Sequence, residues 1–290
     1  MDGINEEVFL ENTLLQNNDN VAPVIPFNSK YRLALADICD GLKQWRIWLL
    51  LAWQEVKLRY RRSTLGPFWI TLSMAITIYT MGLLYGHLFK MDLSQYYPFL
   101  ACGILGWGLI SSLLTESTNI FVESEQFIKQ IKQPYSLFIF KNVTRSFIIF
   151  LHHIIILVPI FIFFNVKINV YSLFFLFSLT VIWLNAVTYG VMLAILGTRF
   201  RDIVQLVNSL IQVIFFLTPI IWLPSVLPDR YQYIIQLNPF AQFMELLRNP
   251  LLGSLPSHYT LFFTLFITLL GLSAAFMLFA RCRARIAYWL

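Results

Sequence analysis

Seven side chains able to move protons, hold ions or share hydrogen bonds sit in or at the ends of otherwise apolar stretches: His87, Glu116, His152, His153, Asn185, Asn208 and Gln212. Polar groups in such settings are costly and often mark ion or proton pathways. Their spacing argues against that chemistry here. His152 and His153 are adjacent, which turns them about 100° apart on a helix, a poor arrangement for chelating one ion. Hydrogen bonds between helices suit them better. Glu116 and His87 fall at the expected ends of apolar runs, where interfacial water can solvate them. Buried carboxylates are too scarce for a proton- or sodium-driven carrier, and no inverted repeat is visible. The chain contains no Walker A, HExxH, GxSxG, paired CxxC or Asp-rich metal pattern. No catalytic residue and no metal site is therefore predicted, and the chain is not expected to hydrolyse ATP alone. Cys39, Cys102 and Cys282 lie far apart and read as packing residues.

The elements that must carry these residues are set by composition. Of 290 residues, 58% are hydrophobic and 12% charged, and the mean hydropathy is +0.68; soluble domains are roughly 45–50% apolar. Too few polar residues remain to cover a water-facing surface, so lipid must be the solvent for most of the chain. The predicted class is an all-α polytopic membrane protein with six transmembrane helices. The crossings are expected near 68–89, 97–117, 146–164, 173–197, 203–223 and 259–280, each long enough to span a bilayer. Residues 1–28, with Glu6, Glu7, Glu11 and Asp19 among many Asn, are expected to form a flexible cytoplasmic tail rather than a signal peptide. Residues 29–65 hold an amphipathic helix predicted to lie in the cytoplasmic interface. Its stripe is Leu42, Trp45, Leu49, Ala52, Trp53, Val56 and Tyr60. Gly66-Pro67 punctuates the chain before the helical domain, 66–290.

Charge then sets an orientation. Six crossings put both termini on one side. Only Lys90, Lys167, Arg230 and Arg248 of the 21 Lys and Arg would lie on the other, so the positive-inside rule predicts cytoplasmic N and C termini. The net charge of +6 is explained without nucleic acid. Two connections exceed simple turns. The cytoplasmic one, Asn119 to Arg145, which includes Lys141, contains at about 119–133 an amphipathic stretch with Ile120, Phe121, Ser124, Phe127, Ile128 and Ile131 on one face, a candidate docking helix. The external one, about 224–258, has Pro224, Pro228, Pro239, Pro250 and Pro256 between apolar patches, which predicts short broken helices dipping into the outer interface. Gly82 and Gly86, and Gly103, Gly106 and Gly108, permit close helix approach. Aromatic residues make up 17% of the chain. Most belong to interfacial belts, and a minority could stack on the apolar face of sugar rings.

The ordered segments RYRRSTLGPFWITLS at 59–73, FIKQIKQP at 127–134, RFRDI at 199–203, QVIFFLTPIIW at 212–222, LNPF at 237–240 and RNPLLG at 248–253 together resemble the ABC-2 type permeases of polysaccharide exporters. They are most similar to the O-antigen (lipopolysaccharide) export permeases. The likeness runs from about Trp45 to Leu290. The loop KQPYSLF departs from it, since many relatives carry an aromatic residue before that proline.

The resemblance implies a homodimer in the bacterial inner membrane joined to two copies of a separate ATPase, which would bind ATP and Mg. A lipid-linked polysaccharide would cross between the permease subunits. It assigns ATPase coupling to Phe121, Glu123, Glu125, Phe127 and Ile128. Arg59, Tyr60, Arg61 and Arg62 would form a cytoplasmic rim that meets a pyrophosphate-linked lipid head or anchors to anionic lipid. Tyr79, Tyr85, Phe215, Phe216 and Trp222 would line the polymer path, and Pro239 and Arg248 an external gate. Capsule, teichoic acid and drug export belong to the same class. A polytopic glycan-lipid enzyme is the reading from another class; its external loop offers it only Asp229, Arg230, Glu245, Arg248 and His258.

Overall fold

A computed structural model describes residues 27–59, 68–88 and 90–290. Every regular element among them is helical. Four stretches are long and apolar enough to cross a bilayer: Leu93–Ser117, Tyr135–Phe163, Val170–Arg199 and His258–Trp289. A helix satisfies its backbone N–H and C=O groups internally, which lipid demands.

Helices α1 (Phe27–Lys43) and α2 (Trp45–Arg59) precede α3 (Phe68–Leu88). The 25-residue α4 (Leu93–Ser117) starts four residues earlier than expected, because Asp92 caps it. Its carboxylate accepts the Ser94 N–H at 3.0 Å and the Ser94 hydroxyl at 2.7 Å. Two short helices follow, α5 (Ile120–Glu123) and α6 (Glu125–Gln130), then α7 (Tyr135–Ile154) and α8 (Leu157–Phe163). A 3₁₀ turn, Val170–Leu173, opens α9 (Phe174–Arg199) through a capping box between Asn169 and Ser172. Next come α10 (Asp202–Leu217), α11 (Gln232–Leu237), α12 (Pro239–Leu251), α13 (His258–Cys282) and α14 (Ile286–Trp289). Helix α4 is the centre of the bundle, packed by α3, α7, α9, α10 and α12. Its apolar window is 61% buried against 22% for α13, which runs along the outside.

Three expectations are corrected. The crossing predicted at 203–223 is a helix of only 16 residues that stops at Leu217. At 1.5 Å per residue it is about 24 Å long, short of a hydrocarbon core of about 30 Å. Pro219 causes the stop: it has no N–H to donate and forces its predecessor Thr218 into extended backbone, φ −99°, ψ 135°. The crossing predicted from Ser146 starts instead at Tyr135, within a 29-residue span reaching Phe163. Lys141 and Arg145 read as loop cations, yet their charges are neutralised inside the bundle. The stripe expected to face lipid, which runs from Leu42 near the end of α1 along α2 to Tyr60 outside the described residues, is divided. Ala52 and Val56 are buried against α7, while Leu42, Trp45, Leu49 and Trp53 are exposed. Apolar residues surround α2, so one side packs while the other stays outside.

One end of the bundle gathers α5, α6, the turn after α9, the start of α7 and the C-terminal α14. The opposite end joins the 165–170 connection to the loop after α12, where the Asn169 side chain donates to the Gly253 carbonyl at 2.8 Å.

Candidate functional site

The charged core lies where α2, α4 and α7 meet. Glu55 of α2 accepts from Lys141 Nζ at 2.5 Å and from Arg145 Nη1 at 2.7 Å. Arg145 Nη2 also donates to Glu116 of α4 at 3.0 Å and to Asn142 Oδ1 at 2.6 Å, and the Ser146 hydroxyl donates to Glu116 at 3.1 Å. The two carboxylates are matched by Lys141 and Arg145, with Arg59 a third, more distant cation at 3.9 Å from Glu116, and the Arg145 guanidinium fork bridges both acids, a geometry that a lysine could not reproduce. The Lys141 and Arg145 side chains are only 14% and 11% exposed. Burial pushes the Glu55 carboxyl up, but the hydrogen bond and charge of Lys141 and the charge of Arg145 outweigh it and hold it below the usual glutamate value. Glu116 is thus a structural partner rather than a carboxylate at a wet helix end.

A second ionic knot fastens α1 and the turn after α13 to the start of α7. Asp37, with a fully buried side chain, pairs with Arg283 Nε at 2.8 Å. It also accepts the backbone N–H groups of Tyr135 at 3.2 Å and Ser136 at 3.0 Å. Pro134 at the N-cap of α7 provides no side-chain cap, so Asp37 supplies it from α1, with its charge toward the positive end of the helix dipole. Gly41 makes this approach possible, since a Cβ there would run into the Ser136 side chain.

Between these knots projects the expected coupling segment. It is two helices of four and six residues rather than one, broken where Ser124 leaves helical geometry at φ −99°, ψ 7°. The break splits the apolar face. Phe121 is fully buried, edge-on to Tyr135 at 5.8 Å, and Ile120 and Ser124 are buried with it. Ile128 is half-buried against the core. Phe127 and Ile131 project outward, 59% and 49% exposed. Glu123 is exposed, and Glu125 pairs with Lys129 at 2.6 Å. Phe121 is therefore the root of this elbow and Phe127 its tip. Gly197 of α9 lies under the elbow's start, where a Cβ would collide with the Thr118 carbonyl. Of the expected rim, Arg59 turns toward Glu116 at 3.9 Å, while Tyr60, Arg61 and Arg62 lie outside the described residues.

The expected path residues do not form one row. Tyr79 is 40% exposed on α3, and its carbonyl accepts from the Tyr97 hydroxyl at 3.0 Å. Tyr85 is half-buried against the core. Phe215 packs on Trp107 with ring centroids 5.8 Å apart, and Phe216 is exposed. Trp222 is off the helix and donates to the Phe216 carbonyl at 3.2 Å. Only Phe215 of the five lines a groove of about 350 Å³ between α3, α4 and α10, with Ser73, Thr77 and Trp107 among its other walls.

At the opposite end, the 224–258 segment is broken into two 3₁₀ turns and two helices. Pro239 is the first residue of α12, preceded by the capping Asn238. Arg248 is buried: its guanidinium lies 3.7 Å from the centre of the Phe99 ring and donates to the Pro219 carbonyl at 2.8 Å. It holds down the irregular chain that follows α10, in a space kept open by Gly103, where a Cβ would lie 2.6 Å from Nη2. His87 and His152 each bond, through Nδ1, the carbonyl four residues back on their own helix rather than a neighbouring helix, and His153 Nε2 is buried without a hydrogen-bond partner among the described residues. Asn185 does bridge, donating to Thr268 at 2.7 Å. No group of three metal-ligating side chains occurs among the described residues.

Glu55, Asp37, Gly197 and Trp107 carry much of this arrangement and were not singled out from the sequence. Trp107 had a local signal, a bulky ring between Gly106 and Gly108. The two acids had none, because their partners are remote in sequence.

Residues 46–252 match the sequence profile of the family described as ABC-2 type transporter. The chain is similar to two O-antigen export system permease proteins, RfbA, of Klebsiella pneumoniae. One is 28% identical, covering 76% of this chain and 87% of the relative; the other is 26% identical, covering 69% and 79%. An O-antigen export system permease protein RfbA of Myxococcus xanthus is 21% identical, covering 67% and 75%.

Proposed function

The chain belongs to the ABC-2 type transporter family, and on that premise we propose that it is the permease subunit of an ATP-driven exporter of lipid-linked polysaccharide, O-antigen in type. It works as a homodimer with two copies of a separate ATPase, six membrane passes per subunit and both termini in the cytoplasm. The relatives' O-antigen export role supports the substrate class. The positive-inside distribution supports the orientation. Helices α3 and α10 would count as the two further passes, α10 completed by the irregular chain beneath Arg248. Their outward faces, with Ile76, Leu83, Leu210 and Val213 exposed, are available to a second subunit.

The observation that carries the reading is the elbow. Its root is fixed by Phe121, Gly197 and the two ionic knots, while Phe127 and Ile131 stand out as uncovered apolar side chains. A rigid mount with an exposed apolar tip suits force transfer from a partner. When the ATPase pair closes on ATP, the tips move together. Helix α7 and, through Glu55, helix α2 move with them, and the path beside Trp107 and Phe215 opens to the sugar chain.

Co-purification with a Walker-type ATPase co-expressed from the same genome tests the reading. Phe127→Ala/Ile131→Ala should reduce retained ATPase at least tenfold and abolish surface glycan while the permease still assembles. Full retention and export by that variant would reject the docking assignment. Modification of a lipid-linked sugar by the permease without any ATPase would reject the transporter reading.

A further inference from the structure

A cavity of about 400 Å³ opens between the start of α1 and the end of α13, lined by Lys30, Tyr31, Ala280, Arg281, Cys282 and Arg285. Three of these six side chains are cations, and none makes an ion pair with a described residue. The neighbouring Arg283 points the other way and is neutralised by Asp37. The alternation in Arg-Cys-Arg-Ala-Arg thus sends one arginine inward and leaves two around the cavity.

Such an arrangement is electrostatically unbalanced. Arg281 and Arg285 gain from the negative end of α13, but Lys30 stands at the close of the first turn of α1, the end of a helix that favours anions. Three like charges around one space repel unless an anion occupies it. The walls point to the kind of anion. Ala280, Cys282 and the ring of Tyr31 are apolar surfaces, and Tyr31 packs on Phe276 of α13 at 5.8 Å. Directly along α13 from the cavity, Met277 is 48% and Leu270 59% exposed. A ligand with a phosphate at one end and hydrocarbon at the other meets both surfaces.

We propose that this cavity is a binding site for the headgroup of an anionic phospholipid, its phosphate held by Lys30, Arg281 and Arg285 and its acyl chains lying along α13. The site is separate from the elbow and from the groove at Trp107. It requires only that the chain sit in a bilayer, so it stands or falls apart from the transported substrate. A bound lipid would tie the first and last helices together on the side opposite the Asp37–Arg283 pair.

The test is native mass spectrometry of the full-length permease released from nanodiscs of phosphatidylglycerol or phosphatidylcholine. Wild type should retain phosphatidylglycerol at least tenfold more than phosphatidylcholine. Lys30→Gln/Arg281→Gln/Arg285→Gln should lose that preference, and Lys30→Arg/Arg281→Lys/Arg285→Lys should keep it. The conservative variant separates lost charge from lost fold. Equal retention of both lipids by wild type, or unchanged preference in the Gln variant, would overturn the proposal. Displacement by millimolar inorganic phosphate would overturn a lipid as the source of the anion.

Discussion

Replacing Glu55 by Gln removes the acid shared by Lys141 and Arg145 and nothing of its size. Arg145 keeps Glu116 at 3.0 Å and Asn142 at 2.6 Å, but Lys141 has no second carboxylate among the ion pairs of the described residues. Removing one partner of a buried pair costs about 3–5 kcal/mol. Glu55 is 32% exposed, so water softens the loss and the low end, about 3 kcal/mol, applies; at 1.4 kcal/mol per decade this is roughly a 100-fold shift in the unfolding equilibrium. Glu55→Gln/Lys141→Met removes both members and should recover to within about 1 kcal/mol of wild type, because no uncompensated charge is left. Reversible unfolding in mixed dodecyl sulfate micelles measures both. Acid adds a second arm. The folded carboxyl of Glu55 is held below its unfolded value, so its contribution is full above about pH 5 and fades as pH falls through the lowered folded value. Wild type and Glu55→Gln should converge there. Additive losses in the double variant, or a gap that persists in acid, would refute the ionic account of how α2 is held to α7.

Asp37→Asn should cost about 3 kcal/mol or more, because it strips the charge opposite Arg283 while the two amides of α7 keep only a weaker acceptor; unfolding measurements with Arg283→Gln in a double-mutant cycle should show strong coupling. Gly197→Ala should cost about 1–3 kcal/mol by overpacking against Thr118, and should raise protease cleavage in the 119–133 elbow more than elsewhere. Arg248→Met leaves the Pro219 carbonyl without its donor, about 1–3 kcal/mol, and hydrogen exchange should speed up at Ile220, whose N–H now bonds Thr218 at 2.7 Å.

What was legible in the sequence follows from how local each cause is. Helices α9 and α13 are unbroken apolar runs with caps at Asn169 and Ser257, and their extents were readable to within a few residues. The start of α7 was hidden because Lys141 and Arg145 look like loop cations until Glu55, 86 and 90 positions away, is brought to them. Apolar residues continue past Pro219 to Trp222 while helix α10 stops at Leu217, so hydropathy alone overstates its length. On the elbow, a helical period put Phe121 and Phe127 on one face. The break at Ser124 buries the first and exposes the second, and no periodicity reveals a break. In the sequence Arg248 is one more loop cation; its burial depends on the close approach allowed by Gly103 and on the ring of Phe99, neither of which is adjacent to it along the chain.

The clasp at Asp37 also has a schedule. Its amide donors lie 98 and 99 positions downstream and its arginine 246. At roughly 5–20 residues per second of synthesis, the cap becomes available after about 5–20 s and the countercharge only after about 12–50 s. For that interval a carboxylate destined for full burial has neutral donors alone. Until Arg283 has been made the buried acid of α1 lacks its countercharge, and a protein truncated before Arg283 keeps that acid uncompensated beside the start of α7.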